Sequence, residues 1–388
     1  LNIAGIRKKF IDLFDKEPMI VRSPGRVNLI GEHTDYNMGF VLPAAIDKAI
    51  YFAIAPSATR KCKLYAIDFA DEYEFTLEVI KKSRKGWPNY LLGVIYQLKK
   101  AGYHITPFHC IFGGTIPVGA GLSSSAALEA GFAYALNILF SLNIDKLDLV
   151  KMAQKAENEF VGVQCGIMDQ FINIYGKKEH VLQIDCRSLD YKYFPFRFDH
   201  IDIILCDTQI AHSLASSAYN TRRNQCEQGV EVIKKSYPHI TSLRDVSIEM
   251  LEEYKSNMDA IVYKRCHYVV KENNRVQAAC TDLLQNDLQS FGERMRETHI
   301  GLRDDYEVSE PFVDLLFDLT LHDENVFGSR IMGGGFGGCT INLVKKGYSK
   351  DFIEKIMKAY NEKAADKLKI YVTSIEDGTS VVEDGGLL

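Results

Sequence analysis

Residues Pro117–Leu136 read PVGAGLSSSAALEAGFAYAL. An apolar strand, FHCIFGGTIP, runs into them, and an Ala- and Leu-rich helix runs out of them to about Phe140. Between strand and helix stand Gly119, Gly121 and Leu122, then Ser123, Ser124 and Ser125. A helix N-terminus offers unpaired N–H groups and a partial positive charge, which suits a polyphosphate. Glycine lets the backbone approach such a ligand without a Cβ in the way. Serine hydroxyls add donors to phosphate oxygens or a ligand to Mg²⁺. A helix cap and a turn would account for one serine and one glycine, but not for three serines after G-x-G. No GK[ST] follows, so the loop is not a Walker A motif, and the catalytic-loop and Mg²⁺ motifs of protein kinases are missing.

Two further stretches ask for the same kind of explanation. PGRVNLIGEHTDYN, Pro24–Asn37, places Arg26, Glu32, His33 and Asp35 between the apolar runs MIV and GFVLPAAI, both of which read as buried strand. GSRIMGGGFGGCTINLV, residues 328–344, reads as a Gly-rich strand pair around 333–343. So many glycines weaken a regular strand, which means either a bulged hairpin or a close approach to that backbone. Together with the serine loop, they place a nucleotide or substrate between two halves of the chain.

The remaining pattern mixes strands and helices. IRKKFIDLFDK has helical spacing, Met19 to about Leu77 reads as short strands, and WPNYLLGVIYQLKKAGY predicts a helix from Pro88 to just before Gly102. DKLDLVKMAQKAENEFVG reads as one helix. HVLQIDCRSL and IDIILCDT are strands, followed by helices over 219–236 and 259–285, a helix at 350–366 and a last strand near KIYVTSI. Without strict βα alternation the fold class is α+β. At 388 residues one core is too small a solution, so two domains are expected, 1–180 and 181–388, with the boundary inside 176–195.

Composition excludes several classes. The chain is 46% hydrophobic and 25% charged with net charge −5, which provides no basic face for nucleic acid. No apolar run reaches membrane-span length and no signal peptide is evident, so no membrane partner is expected. Nine cysteines without a CxxC pair read as reduced core thiols of a cytoplasmic protein.

The three motifs, in this order, resemble the signatures of the GHMP small-molecule kinases, and the Glu-His-Thr-Asp-Tyr core resembles the galactokinase branch in particular. CGIMDQF, IDCRSL, HSLASSAYNTRRNQCE and GLRDDYEVS extend the similarity over nearly the whole chain. The resemblance implies a ribosomal-protein-S5-like N-terminal domain and a ferredoxin-like C-terminal domain with the active site in the cleft between them. It also implies a monomer that transfers the γ-phosphoryl group of ATP to the anomeric hydroxyl of D-galactose. A related kinase of N-acetylgalactosamine or arabinose, or a non-catalytic galactose and ATP sensor, are the rival expectations. Carried onto this sequence, the family's catalytic residues match Asp169 and Arg26. Its sugar contacts match Glu32, His33, Asp35, Gly166, Asp169 and Tyr219, and its Mg²⁺ ligands match Glu157 and a loop serine, Ser125 or else Ser124. Its nucleotide positions match Gly119, Gly121, Leu122, Ser123, Ser124 and Ser125 of the loop together with Trp87 and Tyr90. Two positions depart: Met38 stands where the first motif often has glycine, and Met332 where the third usually has threonine.

Overall fold

The computed structural model describes residues 2–117, 121–211, 215–364 and 367–383. In chain order the strands are β1 (Met19–Asn28), β2 (Phe40–Val41), β3 (Pro43–Pro56), β4 (Cys62–Ala66), β5 (Asp71–Phe75), β6 (Phe108–Gly114), β7 (His180–Asp185), β8 (Tyr191–Pro195), β9 (Ile201–Ala211), β10 (Val326–Ile331), β11 (Gly337–Lys345), β12 (Lys369–Thr373) and β13 (Ser380–Val381). The helices are α1 (Ile3–Phe14), α2 (Pro88–Lys100), α3 (Ser124–Leu139), α4 (Lys146–Lys155), α5 (Met168–Tyr175), α6 (Ala215–Lys234), α7 (Ile248–Glu253), α8 (Ala260–Leu284), α9 (Leu288–Asp304), α10 (Pro311–Asp318) and α11 (Ser349–Asn361).

MIV and PAAI, the apolar flanks of the first charged cluster, become the middle of a six-stranded sheet ordered β13-β1-β3-β6-β4-β5. β1 and β3 pair from Met19↔Ile54 to Asn28↔Pro43, with an irregularity between Pro24 and Arg26. A proline is tolerated at such a bulge, and bulges re-aim the side chain beside them. Here the Arg26 N–H leaves the ladder and donates to the Leu122 carbonyl at 3.2 Å, which brings the first motif against the serine loop. α3 lies over β1 and β3. A Cβ on its Gly131 would stand 2.4 Å from the side chain of Ser23, so the helix sits on the strand at glycine distance.

The second sheet has the order β10-β11-β9-β12, all antiparallel. Numbered from β9, its strands run 2-3-1-4, with helices after the first and third. That is the ferredoxin-like βαββαβ arrangement, enlarged by α6 to α10 between its first two strands. Phe40–Val41 pair with β7, and β7 with β8, in a third sheet.

The end of the chain returns to its beginning. β13 pairs with β1 (Val21↔Val381), and Thr379 donates to Asn173 Oδ1 of α5 at 2.6 Å. The Asn173 amide donates in turn to Ser23 Oγ at 2.9 Å and to the Pro24 carbonyl at 2.6 Å, while Ser23 donates to Ala127 O of α3 at 2.8 Å. This buried network fixes α5 and α3 against the strand that carries Arg26.

Several expectations need correction. The glycines of 333–335 do not pair as strand. They form the connection from β10 to β11, because Gly333, Gly335 and Gly337 all take positive φ. The helix expected over 350–366 stops at Asn361 among the described residues: its apolar face ends with Tyr360, whose carbonyl accepts from the N–H groups of Lys363 and Ala364 at 2.9 Å. DKLDLVKMAQKAENEFVG is not one α-helix either; after Lys155 the chain widens into a π-helical turn, Ala156–Val161. β8 was not foreseen, GFVLPAAI is divided between β2 and the start of β3, and β13 is too short for periodicity to reveal. None of the nine cysteines forms a disulfide, and all but Cys165 are buried. Among the described residues no helix is long and apolar enough to cross a membrane.

Candidate active site

A cavity of about 480 Å³ opens where the two halves meet, and Arg26, Glu32, His33, Asp35, Gly166, Asp169, Tyr219 and Gly333–Phe336 line it. Asp169 lies in the first turn of α5, where the helix dipole favours a carboxylate. Arg26 grips it bidentately, Nε to Oδ1 at 2.8 Å and Nη2 to Oδ2 at 2.7 Å, and its Nη1 donates to the Gly121 carbonyl at 2.6 Å. Burial works against the Arg26 charge, but the carboxylates of Asp169, Glu32 and Asp35 together outweigh it and raise the guanidinium further. Ser123 also donates to Asp169 Oδ2. That bond leaves Ser123 at the N-cap of α3 without a side-chain cap, so the helix N-terminus behind Ser124 and Ser125 keeps its amides available.

Glu32 is nearly buried, and its Oε1 accepts from Arg330 Nη2 at 2.8 Å and from the Gly333 N–H at 2.8 Å. Arg330 is fully buried and also donates to the carbonyls of Leu29 at 2.8 Å and Ile331 at 2.6 Å, and to that of Asn28. One guanidinium thus stitches the first motif to the third and leaves Glu32 Oε2 as that carboxylate's remaining acceptor. His33 holds a left-handed backbone at φ 62°, and burial lowers it to about 4, so it is neutral at physiological pH. Asp35 is pushed up to about 6, first by burial and then by the charges of Asp169 and Glu32. It sits so close to Gly166 that a Cβ there would lie 1.7 Å from its Oδ2. Tyr219 of α6 packs its ring 5.3 Å from those of His33 and Tyr36, and burial keeps it a phenol.

The serine loop ends beside a second acidic group. The π-helical turn directs Glu157 inward, where it is 6% exposed, so it is not part of the solvated face that its Lys- and Glu-rich surroundings suggest. It accepts from the Gln170 amide at 2.9 Å and from the Cys165 thiol at 3.3 Å, and the Ser125 hydroxyl lies close enough to favour its ionised form. Glu129 of α3 is fully buried against it. Glu157 and Gln170 are close enough to perturb Glu129, but neither gives its oxygens a well-directed hydrogen bond. Burial raises both carboxyls above the usual range. Trp87 and Tyr90 stand outside the cavity at the start of α2. Trp87 donates to Asp71 at 3.0 Å and packs on Phe112, whereas the Tyr90 phenol is raised by burial and by the nearby Glu157 and Glu129. Leu122 is buried in the core, so only its main chain can meet a ligand; Gly119 lies outside the described residues.

The galactokinase galactose-binding signature matches residues 8–56, the GHMP kinase N-terminal domain residues 89–177 and the GHMP kinase C-terminal domain residues 279–363. A galactokinase of Roseiflexus sp. is 42% identical over 385 residues, covering 99% of this chain and 98% of that one. The chain belongs to the galactokinase family. A galactokinase of Clostridium acetobutylicum is also 42% identical, over 97% of this chain and 98% of its own length. The crystal structure of Lactococcus lactis galactokinase complexed with galactose superposes with a TM-score of 0.94 at 36% identity, covering 98% of this chain and 100% of that one. Methanococcus jannaschii mevalonate kinase, at 18% identity and a TM-score of 0.66, shares the fold.

Within this galactokinase fold the two departures are readily placed. Met38 follows a 3₁₀ turn in a left-handed conformation, φ 59°, which is why glycine suits the position, and its side chain is exposed. Met332 is buried, its main chain beside Gly121. Arg330 and Glu129 carried no role in the sequence reading. Each had a signal: a lone charge in an otherwise apolar strand, VFGSRIM, and in an otherwise apolar helix, AALEAGFAYAL.

Proposed function

We propose that this protein transfers the γ-phosphoryl group of ATP to the C1 hydroxyl of D-galactose, giving galactose 1-phosphate and ADP. The supporting observation is the Arg26–Asp169 pair set in the wall of a cavity whose other polar residues, Glu32, His33, Asp35 and Tyr219, can bond a ring of hydroxyls. Every buried hydroxyl needs a partner, and the wall supplies carboxylates, an N–H and a phenol. Asp169 takes the proton of the attacking hydroxyl, while Arg26 keeps that base ionised and offsets charge on the transferring group. The triphosphate lies along Gly121 to Ser125 at the open N-terminus of α3, with Trp87 and Tyr90 on the adenine side.

Mg²⁺ fits the group around Glu157. Two buried carboxyls with no cationic side chain between them are costly, and a hard divalent ion takes carboxylate and hydroxyl oxygens. Ser125 and Glu157 would hold it, and when bound it would neutralise phosphate charge. All of these residues come from one chain, so a monomer suffices as the catalytic unit, and reduced thiols suit a cytoplasmic setting.

A coupled ATP-consumption assay across galactose, N-acetylgalactosamine, arabinose, glucose and mevalonate tests the reading. Galactose should support turnover well above the others, and Asp169→Asn should abolish it while retaining galactose binding by calorimetry. Preference for another substrate, or full turnover by the variant, overturns it.

A further inference from the structure

Behind the sugar-facing wall runs a chain of hydrogen bonds whose direction has only one solution. His33 Nε2 faces the carbonyl oxygen of Gly334 at 3.2 Å. A carbonyl has no proton to give, so Nε2 carries the hydrogen. Neutral His33 then presents a bare Nδ1, which meets Tyr36 Oη at 2.7 Å, so Tyr36 must donate. With its proton committed, the Tyr36 oxygen accepts from Tyr306 Oη at 2.7 Å. The Tyr306 oxygen in turn accepts from the Cys226 thiol at 3.2 Å. Tyr306 and Cys226 are fully buried, and buried hydroxyls without partners are costly. The Tyr306 main chain is pinned as well, its carbonyl accepting from Arg222 Nε at 2.7 Å, and its ring packs on Tyr268 at 4.8 Å. The four residues come from the first motif, from α6 and from RDDYEV, a stretch that the catalytic assignment leaves without a role.

We propose that Tyr36 and Tyr306 are positioning residues of the sugar site: they lock His33 as the Nε2–H tautomer and fix its ring plane. His33 then offers the cavity one donor, already shared with the glycine-rich loop at Gly334. A sugar hydroxyl that takes this donor does so as an acceptor and in competition with that loop, which couples sugar occupancy to the position of residues 333–335. The tautomer follows from the hydrogen-bond geometry of a ring that burial keeps neutral; the link to a sugar rests on the galactose reading.

The test uses the full chain labelled with ¹⁵N-histidine and two-bond ¹H–¹⁵N correlation spectra without ligand, His33 being assigned by its loss in His33→Gln. The wild type should show a protonated Nε2 and a bare, hydrogen-bonded Nδ1. Tyr36→Phe should move Nδ1 to the free-imidazole position and introduce the other tautomer, and Tyr306→Phe should move it the same way by less. Nδ1–H or a doubly protonated ring in the wild type overturns the proposal even where the variants fold poorly, and so does an unchanged His33 spectrum in Tyr36→Phe. In turnover, both variants should raise the KM for galactose several-fold with the KM for ATP unchanged, and unchanged galactose KM in both refutes the positioning role. A protein that shows the expected spectra but does not turn over galactose separates failure of the substrate reading from failure of this one.

Discussion

Replacing Gly166 by alanine puts a methyl group where the Asp35 carboxylate now lies. The new Cβ would be 1.7 Å from Asp35 Oδ2 and 2.4 Å from its Cγ, against the 3.0 Å below which real contacts essentially never occur. The carboxylate therefore has to retreat by about 1.3 Å, and the neighbouring cavity gives it room to do so. A hydrogen bond to a charged group is worth about 1.5–3 kcal/mol and does not survive a displacement of that size. Losing one raises the KM for galactose by about 10- to 150-fold. The KM for ATP should hold, because the serine loop is not in this contact. Steady-state kinetics of Gly166→Ala, Asp35→Ala and the double variant form a cycle. If Gly166 acts through Asp35, adding the alanine at 166 to Asp35→Ala costs almost nothing further, and the coupling approaches the whole effect of the single change. Additive losses, or a Gly166→Ala enzyme with the galactose KM of the wild type, would refute the idea that glycine is needed there to seat Asp35.

Other outcomes follow from the same geometry. Arg26→Ala should mainly lower kcat, by roughly 10²-fold or more, since it removes the group that opposes charge at the reacting centre; a KM effect with kcat intact contradicts that role. Asp35 lies above its unfolded value, so it protonates as pH falls through about 6. Galactose KM should climb below that pH in the wild type and lose this dependence in Asp35→Asn. By the same sign, ionising Asp35 costs stability that accrues between about pH 4 and about pH 6. Asp35→Asn should therefore melt higher at pH 7 but not at pH 4. Glu129→Gln should raise the melting temperature at pH 7.5 without Mg²⁺, because raised carboxyls make the folded state pay for ionisation; equal or lower melting at that pH sinks the argument. Met38→Gly should stabilise by up to about 1 kcal/mol, as left-handed backbone disfavours a side chain, and a loss in denaturant melts would contradict it.

Much of this was legible because PGRVNLIGEHTDYN keeps Arg26, Glu32, His33 and Asp35 together, and because CGIMDQF and HSLASSAYNTRRNQCE carry the family resemblance to Gly166, Asp169 and Tyr219. Arg26, Glu32, His33, Asp35, Gly166, Asp169 and Tyr219 were all named from sequence, and all line one cavity. What escaped depends on pairing across long separations. Arg330 reaches Glu32 over 298 positions, and neither composition nor periodicity encodes such a partner. Glu157 was matched as a Mg²⁺ ligand only through the family resemblance, since its Lys- and Glu-rich neighbours suggest a solvated face; a π-helical turn rotates it inward, and helical periodicity cannot announce a change of helix type. β13 is two residues long and is a strand only because β1 is there to receive it.

That last strand has a consequence for how the molecule is made. The strand bearing Arg26 and the helix bearing Asp169 are braced together by Thr379, which follows Ser23 by 356 positions and Asn173 by 206. During synthesis Thr379 is made after Arg26, Asp169 and every residue of β1 to β12. The edge of the first sheet stays open and the brace under the Arg26–Asp169 pair stays missing until Thr379 and β13 reach β1. Support for the reacting pair is thus a late contact, with a strand made long afterwards closing over the first one, and a chain cut back before Thr379 keeps every cavity residue while its reacting pair lacks that support.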